Sequence, residues 1–153
     1  MASIAISGCG PKLGDGFTQP SIPTGKALIY IYRPFGGFGY LHPIHIYSEN
    51  TLIVTMPHKS YYPYTVNPGE VEFNSRAGLL STIQESVTIN ARAGQVYYLK
   101  TILRPISRTT RLKSDQKYQM QASLEVMPFG DGSDEIKECK LILELHDNNA
   151  KKP

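Results

Sequence analysis

The sequence lacks several features that would assign a function class early. It has no tryptophan, only two cysteines and no apolar run approaching 18 residues. Two cysteines do not make the disulfide framework of a small secreted domain, although a bridge between Cys9 and Cys139 remains open. The missing apolar run excludes a transmembrane helix from these 153 residues.

Charge is also sparse, since only 19% of the residues are charged and the net charge is +3. Such a mild excess does not by itself identify a partner. Its distribution is more informative. Residues 92–117 hold seven basic side chains and one acidic, whereas residues 125–147 hold seven acidic and two basic. Two interpretations stay open: the two surfaces neutralise each other, or the basic stretch contacts an anionic surface.

Glycine, proline and tyrosine are abundant, at 13, 11 and 10 residues, which favours short strands divided by turns. The stretch that organises the rest is residues 25–34, rich in β-branched and aromatic residues. As a strand it places Leu28, Tyr30 and Tyr32 on one face, and Ala27, Ile29 and Ile31 on the other. Both faces are apolar, so this stretch predicts a central strand covered on both sides.

Seven further short segments alternate or carry β-forming residues, at 43–47, 51–56, 59–66, 71–76, 82–91, 96–103 and 119–127. The first two predict a hairpin across Ser48, Glu49 and Asn50. After them, Asp131 or Ser133 is the predicted cap of a helix whose buried stripe is Ile136, Cys139, Ile142 and Leu143. The predicted fold is therefore mainly β: an antiparallel β-sandwich of seven to eight short strands with one C-terminal helix, over residues 25–146, with a polar tail at 147–153.

The N-terminal residues carry a lipidation motif. Ile6-Ser7-Gly8-Cys9 matches the lipobox of bacterial lipoproteins, in which small residues precede a thiol that accepts a diacylglyceryl group. Residues 1–9 are accordingly interpreted as the remnant of a lipoprotein signal peptide, and residues 10–24 as a flexible tether of roughly 20 Å. The basic n-region of a signal peptide is missing, so a start inside a longer signal peptide and an accidental match both stay open.

Four further pieces of sequence carry a resemblance to a known family. They are Gly25-Lys26-Ala27-Leu28-Ile29-Tyr30-Ile31-Tyr32-Arg33-Pro34, Val66-Asn67-Pro68-Gly69, Ala93-Gly94-Gln95-Val96-Tyr97-Tyr98-Leu99-Lys100, and the last strand with Asp134-Glu135-Ile136-Lys137. Together they resemble domain-of-unknown-function family 2846, a bacterial lipoprotein-type family. The resemblance implies a small PEGA-like β-sandwich that follows a lipobox, and it supplies no catalytic or ligand residues.

Residue patterns for catalysis or metal binding are weak throughout the chain. His42 and His45 are three apart, which on a strand places them on opposite faces, and no serine lies in a nucleophile elbow. Cys139 is predicted to be a core residue rather than a reactive one. The carboxylates Asp134, Glu135 and Glu138 are predicted to be solvated. No catalytic residue, metal or cofactor is therefore predicted, and nucleic acid is not, because the basic stretch lacks stacking aromatics.

The sequence thus favours a lipid-anchored cell-envelope protein that acts as a binding or structural module and is not an enzyme. With Gly10 after the cysteine, resemblance to Gram-negative sorting rules implies the outer membrane, facing the periplasm. The proposed site residues are Cys9 for lipidation, and Arg104, Arg108, Arg111, Lys113 and Lys117 for contact with an anionic surface. Two alternatives remain: an enzyme whose site lies near the glycine- and tyrosine-rich loop at 35–41, or a cytoplasmic peptide-binding β-sandwich.

Overall fold

The computed structural model describes residues 12–36, 39, 41–78, 84–105 and 120–143. In this part of the chain ten strands form two sheets. The six-stranded sheet contains β1 (Leu13–Gly16), β2 (Ala27–Arg33), β5 (Ser60–Val66), β8 (Val96–Pro105), β9 (Met120–Met127) and β10 (Lys140–Ile142). The four-stranded sheet contains β3 (Ile44–Ser48), β4 (Thr51–Met56), β6 (Gly69–Ala77) and β7 (Gln84–Ala91). The mainly β, sandwich-like fold is confirmed, with ten described strands instead of seven to eight.

The strand predicted to be central, β2, lies inside the six-stranded sheet, whose order is β1-β10-β5-β2-β8-β9. All seven of its residues are buried. They alternate between faces as predicted: Ala27, Ile29 and Ile31 enter the core between the sheets, and Leu28, Tyr30 and Tyr32 enter a cluster on the outer face. β2 pairs antiparallel with β5 but parallel with β8, and β10 pairs parallel with β5. The sandwich is therefore mostly antiparallel, as predicted, and these two pairings are its parallel exceptions.

The core between the two sheets is built from alternating positions of both. Ile44 and Ile46 of β3 face it from the small sheet, and Ile31 and Leu99 face it from the large one. All four side chains are fully buried. Burial of side chains of this size contributes about 1.5–3 kcal/mol each, so this layer holds the sandwich together.

The hairpin of β3 and β4 is confirmed, and its turn consists of Glu49 and Asn50. Both residues have positive φ, at 48° and 63°. A two-residue connection with positive φ at both positions is the primed turn that matches the twist of a hairpin. Glu49 therefore adopts a backbone conformation that glycine or asparagine usually supplies at this place.

The prediction that residues 10–24 lack a regular element is wrong at β1. This strand pairs antiparallel with β10, where Leu13 is opposite Ile142, and the N–H of Leu143 donates to the carbonyl oxygen of Lys12 at 2.9 Å. Further along, Phe17 and Ile22 pack on the outer-face cluster. The short β1 sequence has too little alternation to signal a strand, and its partner lies more than 120 residues away in the chain.

The C-terminal helix is shorter and earlier than predicted. α1 (Phe129–Glu135) follows Pro128 and leads into a 3₁₀ turn at Ile136–Glu138. The predicted caps Asp131 and Ser133 lie inside α1, and the Ser133 hydroxyl donates to the Gly130 carbonyl oxygen at 2.9 Å. Among the described residues, no helix has the length and apolar character needed to cross a bilayer.

The residues predicted to form one helical stripe separate into different environments. Ile136 and Cys139 enter the outer-face cluster, Ile142 enters the core between the sheets, and Leu143 is 58% exposed. The backbone is extended at Cys139, with φ −91° and ψ 156°. Successive side chains of an extended chain point to opposite faces. β10 therefore contributes side chains both to the core between the sheets and to the outer-face cluster, whereas one helical stripe would contribute to a single layer.

Candidate functional site

A buried arginine fixes the loop that follows β2. Arg33 is only 4% exposed, and its guanidinium donates hydrogen bonds to three backbone carbonyl oxygens. One nitrogen (NH1) donates to His42 at 2.7 Å and to Met56 at 3.0 Å, and the other (NH2) donates to Gly39 at 3.2 Å. Burial lowers the pKa of Arg33 to about 10, which leaves it a cation at neutral pH. Arg33 therefore holds both sides of the glycine loop to the end of the sandwich.

The same loop presents an aromatic ring to the surface. Phe35 is 67% exposed, its ring centroid lies 5.1 Å from that of His58, and the ammonium of Lys59 lies 5.5 Å from it. The N–H of Gly36 donates to Nε2 of His58 at 3.2 Å, so that nitrogen acts as an acceptor. Burial and the positive charges of Arg33 and Lys59 lower the pKa of His58. The imidazole is accordingly neutral at pH 7.

Gly39 brings this loop against the start of the basic stretch. Its φ is +73°, and an added Cβ would lie 2.9 Å from Sδ of Met120 and 3.1 Å from Cδ1 of Leu103. Arg104, the next residue of β8, is exposed, and Pro105 pairs with Met120 across β8 and β9. Two features that are separate in the sequence, the glycine loop and the basic stretch, therefore meet at one end of the six-stranded sheet.

Most of the predicted contact residues lie outside the described part of the chain. Of that set only Arg104 is described, whereas Arg108, Arg111, Lys113 and Lys117 fall within residues 106–119. Because Pro105 and Met120 are paired, this intervening segment leaves and rejoins the sheet at the same end as Phe35. The four basic residues are thus attached to that end through the covalent chain.

Cys9, the predicted lipidation site, also lies outside the described residues, which begin at Lys12. Lys12 is three positions after Cys9, so the Cα atoms of these two residues are at most about 11 Å apart. The predicted tether of roughly 20 Å is therefore too long, because β1 and Phe17 are already packed on the domain.

On the outer face of the large sheet, three polar side chains meet that no sequence pattern connects. Tyr32 and Lys100 are register partners on β2 and β8, which places them on one face. The hydroxyl of Tyr32 donates to Glu135 of α1 at 2.8 Å, and the Lys100 ammonium lies 2.8 Å from the same carboxylate. This trio joins α1 to the sheet, so the prediction that Glu135 is simply solvated is wrong.

The trio shifts the pKa of its members in opposite directions. Burial raises the pKa of Tyr32 far above its usual value, and the hydrogen bond to Glu135 raises it further. For Glu135, burial alone would raise the pKa, but the hydrogen bonds from Lys100 and Tyr32 outweigh burial and lower it. At neutral pH the trio therefore consists of a neutral phenol, a carboxylate and an ammonium.

Replacing Glu135 should weaken this attachment. We expect Glu135→Ala to lower the free energy of unfolding by about 1–3 kcal/mol, because it leaves the buried Tyr32 hydroxyl without its acceptor. Glu138→Ala, at an exposed position of the following 3₁₀ turn, should change it by less than about 0.5 kcal/mol. Equal effects of the two substitutions in urea unfolding would contradict the role given to Glu135.

The same trio predicts the direction of a pH dependence. The folded Glu135 has a lowered pKa, so below pH 4.5 the unfolded chain takes up more protons at this carboxyl than the folded chain does. Its stabilising contribution is complete above the unfolded pKa and is lost as the pH falls through the folded one. Urea unfolding at several acidic pH values should show a shallower loss of stability for Glu135→Gln than for the parent.

Beneath α1, the outer-face cluster is largely aromatic. The Tyr30 ring stacks on Tyr98 at 5.5 Å and meets Phe17 edge-on at 5.1 Å. Its hydroxyl is buried without a hydrogen-bond partner in the described ranges, and burial raises the pKa of Tyr30 to about 12. Tyr30 is therefore a neutral packing residue at physiological pH.

Cys139 is a core residue, as predicted. It is 1% exposed, its thiol donates to the Arg33 carbonyl oxygen at 3.5 Å, and burial raises its pKa to about 12. A protonated, buried thiol is a poor nucleophile.

The described histidines take part in different contacts. His45 contacts the Thr55 hydroxyl through Nδ1 at 3.0 Å, and His42 lies outside the strands, with its carbonyl bound by Arg33. No cluster of three potential metal ligands occurs among residues that the structure describes.

Comparison with known proteins gives one family and no relatives. A family model described as "Protein of unknown function (DUF2846)" matches residues 23–110, which spans β2 to β8 and continues past Arg104. No curated protein and no solved structure matches the chain.

Proposed function

Since the chain belongs to the DUF2846 family, which carries no assigned activity, we propose that it is a non-catalytic binding or structural module of the cell envelope. In this proposal a lipid on Cys9 attaches it to the membrane. The sandwich is a PEGA-like module, and Gly10 after the cysteine favours the outer membrane, with the domain in the periplasm.

One observation carries this proposal: the domain begins almost directly after the lipidation motif. β1 is fixed to β10 at the edge of the large sheet, and only Gly10 and Pro11 separate Cys9 from Lys12. A lipid on Cys9 would therefore hold that sheet edge within about 11 Å of the modified residue. Such an arrangement suits a module that works close to a membrane surface.

The polar groups near the glycine loop support a non-catalytic role. The Arg33 guanidinium is occupied by three backbone carbonyls, Nε2 of His58 accepts from Gly36, and the Cys139 thiol is buried. Each of these bonds contributes to holding the fold. This favours the module over an enzyme whose site lies at loop 35–41.

The anionic-surface contact belongs to the same proposal. Arg104 is exposed where β8 ends, and the chain from there to residue 119 adds Arg108, Arg111, Lys113 and Lys117. Basic residues near an anionic leaflet contribute about 1 kcal/mol each. The alternative, neutralisation of the acidic stretch at 125–147, is supported among the described residues by the ion pair of Lys100 with Glu135.

Fractionation of the native host tests the anchor. We expect the parent protein to sediment with membranes and to remain there in high salt, because a covalent lipid is not displaced by ions. Cys9→Ala should release it to the soluble fraction, whereas Ser3→Ala, outside the motif, should leave it membrane-bound. A parent protein that is soluble from the start would reject the anchor and favour the cytoplasmic peptide-binding sandwich.

A further inference from the structure

Two strongly exposed apolar side chains lie in the loop that Arg33 fixes. Phe35 is 67% exposed and Leu41 is 79% exposed. Single exposed apolar residues are ordinary on protein surfaces. These two, however, belong to a loop whose backbone is held by a buried guanidinium at Gly39 and His42, on either side of Leu41. The loop therefore presents both side chains from an anchored base.

Basic side chains stand beside this apolar pair. The Lys59 ammonium lies 5.5 Å from the centroid of the Phe35 ring. The backbone of Lys59 has a φ of 59°, a value that residues other than glycine rarely adopt. Gly39 lies against Leu103, whose side chain enters the core between the sheets. Arg104, the next residue, therefore projects from the other face of β8 and is exposed at the same end of the sheet. Lys59 thus lies beside the Phe35 ring, and a second cation lies at the same end of the sheet.

The position of β1 relates this end of the sheet to the chain's N-terminal segment. β1 runs from Lys12 towards this end, since Gly16 is opposite Lys140 and the N–H of Lys140 donates to the Lys59 carbonyl oxygen at 3.1 Å. Lys12 and Gly16 are four residues apart, about 13 Å along a strand. Since Cys9 is at most about 11 Å from Lys12, at most about 24 Å of chain joins Cys9 to this corner of the domain.

We propose that Phe35 and Leu41, with Lys59 beside them and Arg104 at the same end of the sheet, form a second, non-covalent contact with an anionic bilayer; we call these four residues the Phe35 end. Phe35 and Leu41 enter the boundary between headgroups and acyl chains, while Lys59 and Arg104 pair with lipid phosphates. The choice of a membrane as the partner rests on the proposed function, but the contact itself requires no lipid on Cys9.

Tryptophan fluorescence offers a direct test, because the chain has no tryptophan of its own. The full 153-residue chain with Cys9→Ser, which prevents lipidation, is the parent. Phe35→Trp places the only tryptophan at the proposed contact. Phe129→Trp is the matched control: Phe129 is 61% exposed but follows β9 at its far end, away from Met120.

With vesicles of equal parts phosphatidylcholine and phosphatidylglycerol, we expect a blue shift for Phe35→Trp and quenching by brominated acyl chains. Phe129→Trp should show neither. Pure phosphatidylcholine vesicles should give much weaker binding, because they offer no net negative surface. Absence of a blue shift at Phe35→Trp, or equal responses of the two variants, would overturn the proposal.

Substitutions measured by vesicle sedimentation separate insertion from charge. In the parent, Phe35→Ala or Leu41→Ser should lower the partition coefficient about tenfold each. Lys59→Ala or Arg104→Ala should lower it about fivefold at about 0.1 M salt and far less at about 1 M. Arg92→Ala, exposed at the opposite end of the sheet, should have no effect.

Unchanged partitioning of Phe35→Ala and Leu41→Ser, with loss only in the charge variants, would show simple electrostatic adsorption and overturn insertion. Thermal unfolding of each variant checks that the fold is kept, as expected for exposed positions. The outcome is independent of the anchor. Insertion by the Cys9→Ser chain stands even if native Cys9 carries no lipid, and a lipidated Cys9 stands even if Phe35→Trp does not insert.

Discussion

An Ile31→Asp variant is expected to be unfolded at neutral pH. Ile31 is fully buried in the central strand β2 and faces the core between the sheets. The substitution removes about 1.5–3 kcal/mol of apolar burial and places a carboxylate where it has no partner, at a cost of several kcal/mol. Together these approach the whole stability of a typical domain, about 5–15 kcal/mol. Far-ultraviolet circular dichroism and thermal unfolding would measure the loss.

Two further variants distinguish the effect of the buried position from the effect of the introduced carboxylate. Ile31→Val keeps an apolar side chain and should cost about 0.5–1.5 kcal/mol. Val126→Asp introduces the same carboxylate at a strand position that is 40% exposed, and should cost about 1 kcal/mol or less. Unchanged cooperative melting of Ile31→Asp would mean that β2 is not the centre of the fold.

Two glycines of α1 should respond to alanine with opposite signs. A Cβ at Gly132 would lie 2.4 Å from Cβ and 2.5 Å from Cγ of Tyr98. These atoms are fixed by the backbone of β8, so α1 would have to move off the sheet. Such overpacking costs about 1–3 kcal/mol. We therefore expect Gly132→Ala to lower the urea midpoint and to weaken the bond between Tyr32 and Glu135.

Gly130→Ala is the matched control in the same helix. A Cβ there meets nothing within 4 Å, and alanine is favoured over glycine in a helix by up to about 1 kcal/mol. This variant should be neutral or more stable than the parent. If both alanine variants shift stability in the same direction, the close contact between Gly132 and Tyr98 does not position α1.

The strands were predictable where the local pattern and the tertiary environment agree. β2 shows two apolar faces, and both are buried. β7 shows alternation interrupted at Glu85, and the structure explains the exception: Glu85 accepts a hydrogen bond from the Ser123 hydroxyl of β9 at 2.9 Å. In β2 and β7 the pattern of apolar and polar side chains therefore predicted which faces of the strand are buried.

The termini were predicted less well because their structure depends on distant partners. β1 and β10 pair with each other from opposite ends of the chain, and neither is long enough to show a period of its own. The apolar spacing from Ile136 to Leu143 fits a helical stripe. The structure instead distributes these residues between two layers, which no local pattern signals.

The candidate site was predicted in its parts but not in its arrangement. The basic stretch and the glycine loop were visible as composition, yet their meeting at Gly39 depends on the pairing of β8 with β9. The trio of Tyr32, Lys100 and Glu135 was missed because it depends on the parallel pairing of β2 with β8 and on the position of α1. All three residues lie in segments that resemble the family, but a family resemblance does not say which side chains are in contact.

Mass spectrometry of the protein from envelope material of its native host decides whether Cys9 carries a lipid. We expect a mature chain that begins at Cys9 and carries a diacylglyceryl group, with residues 1–8 removed. The N-terminal peptide should show the added mass after proteolysis. An unmodified Cys9 with residues 1–8 still attached would contradict the proposed lipid-anchored module.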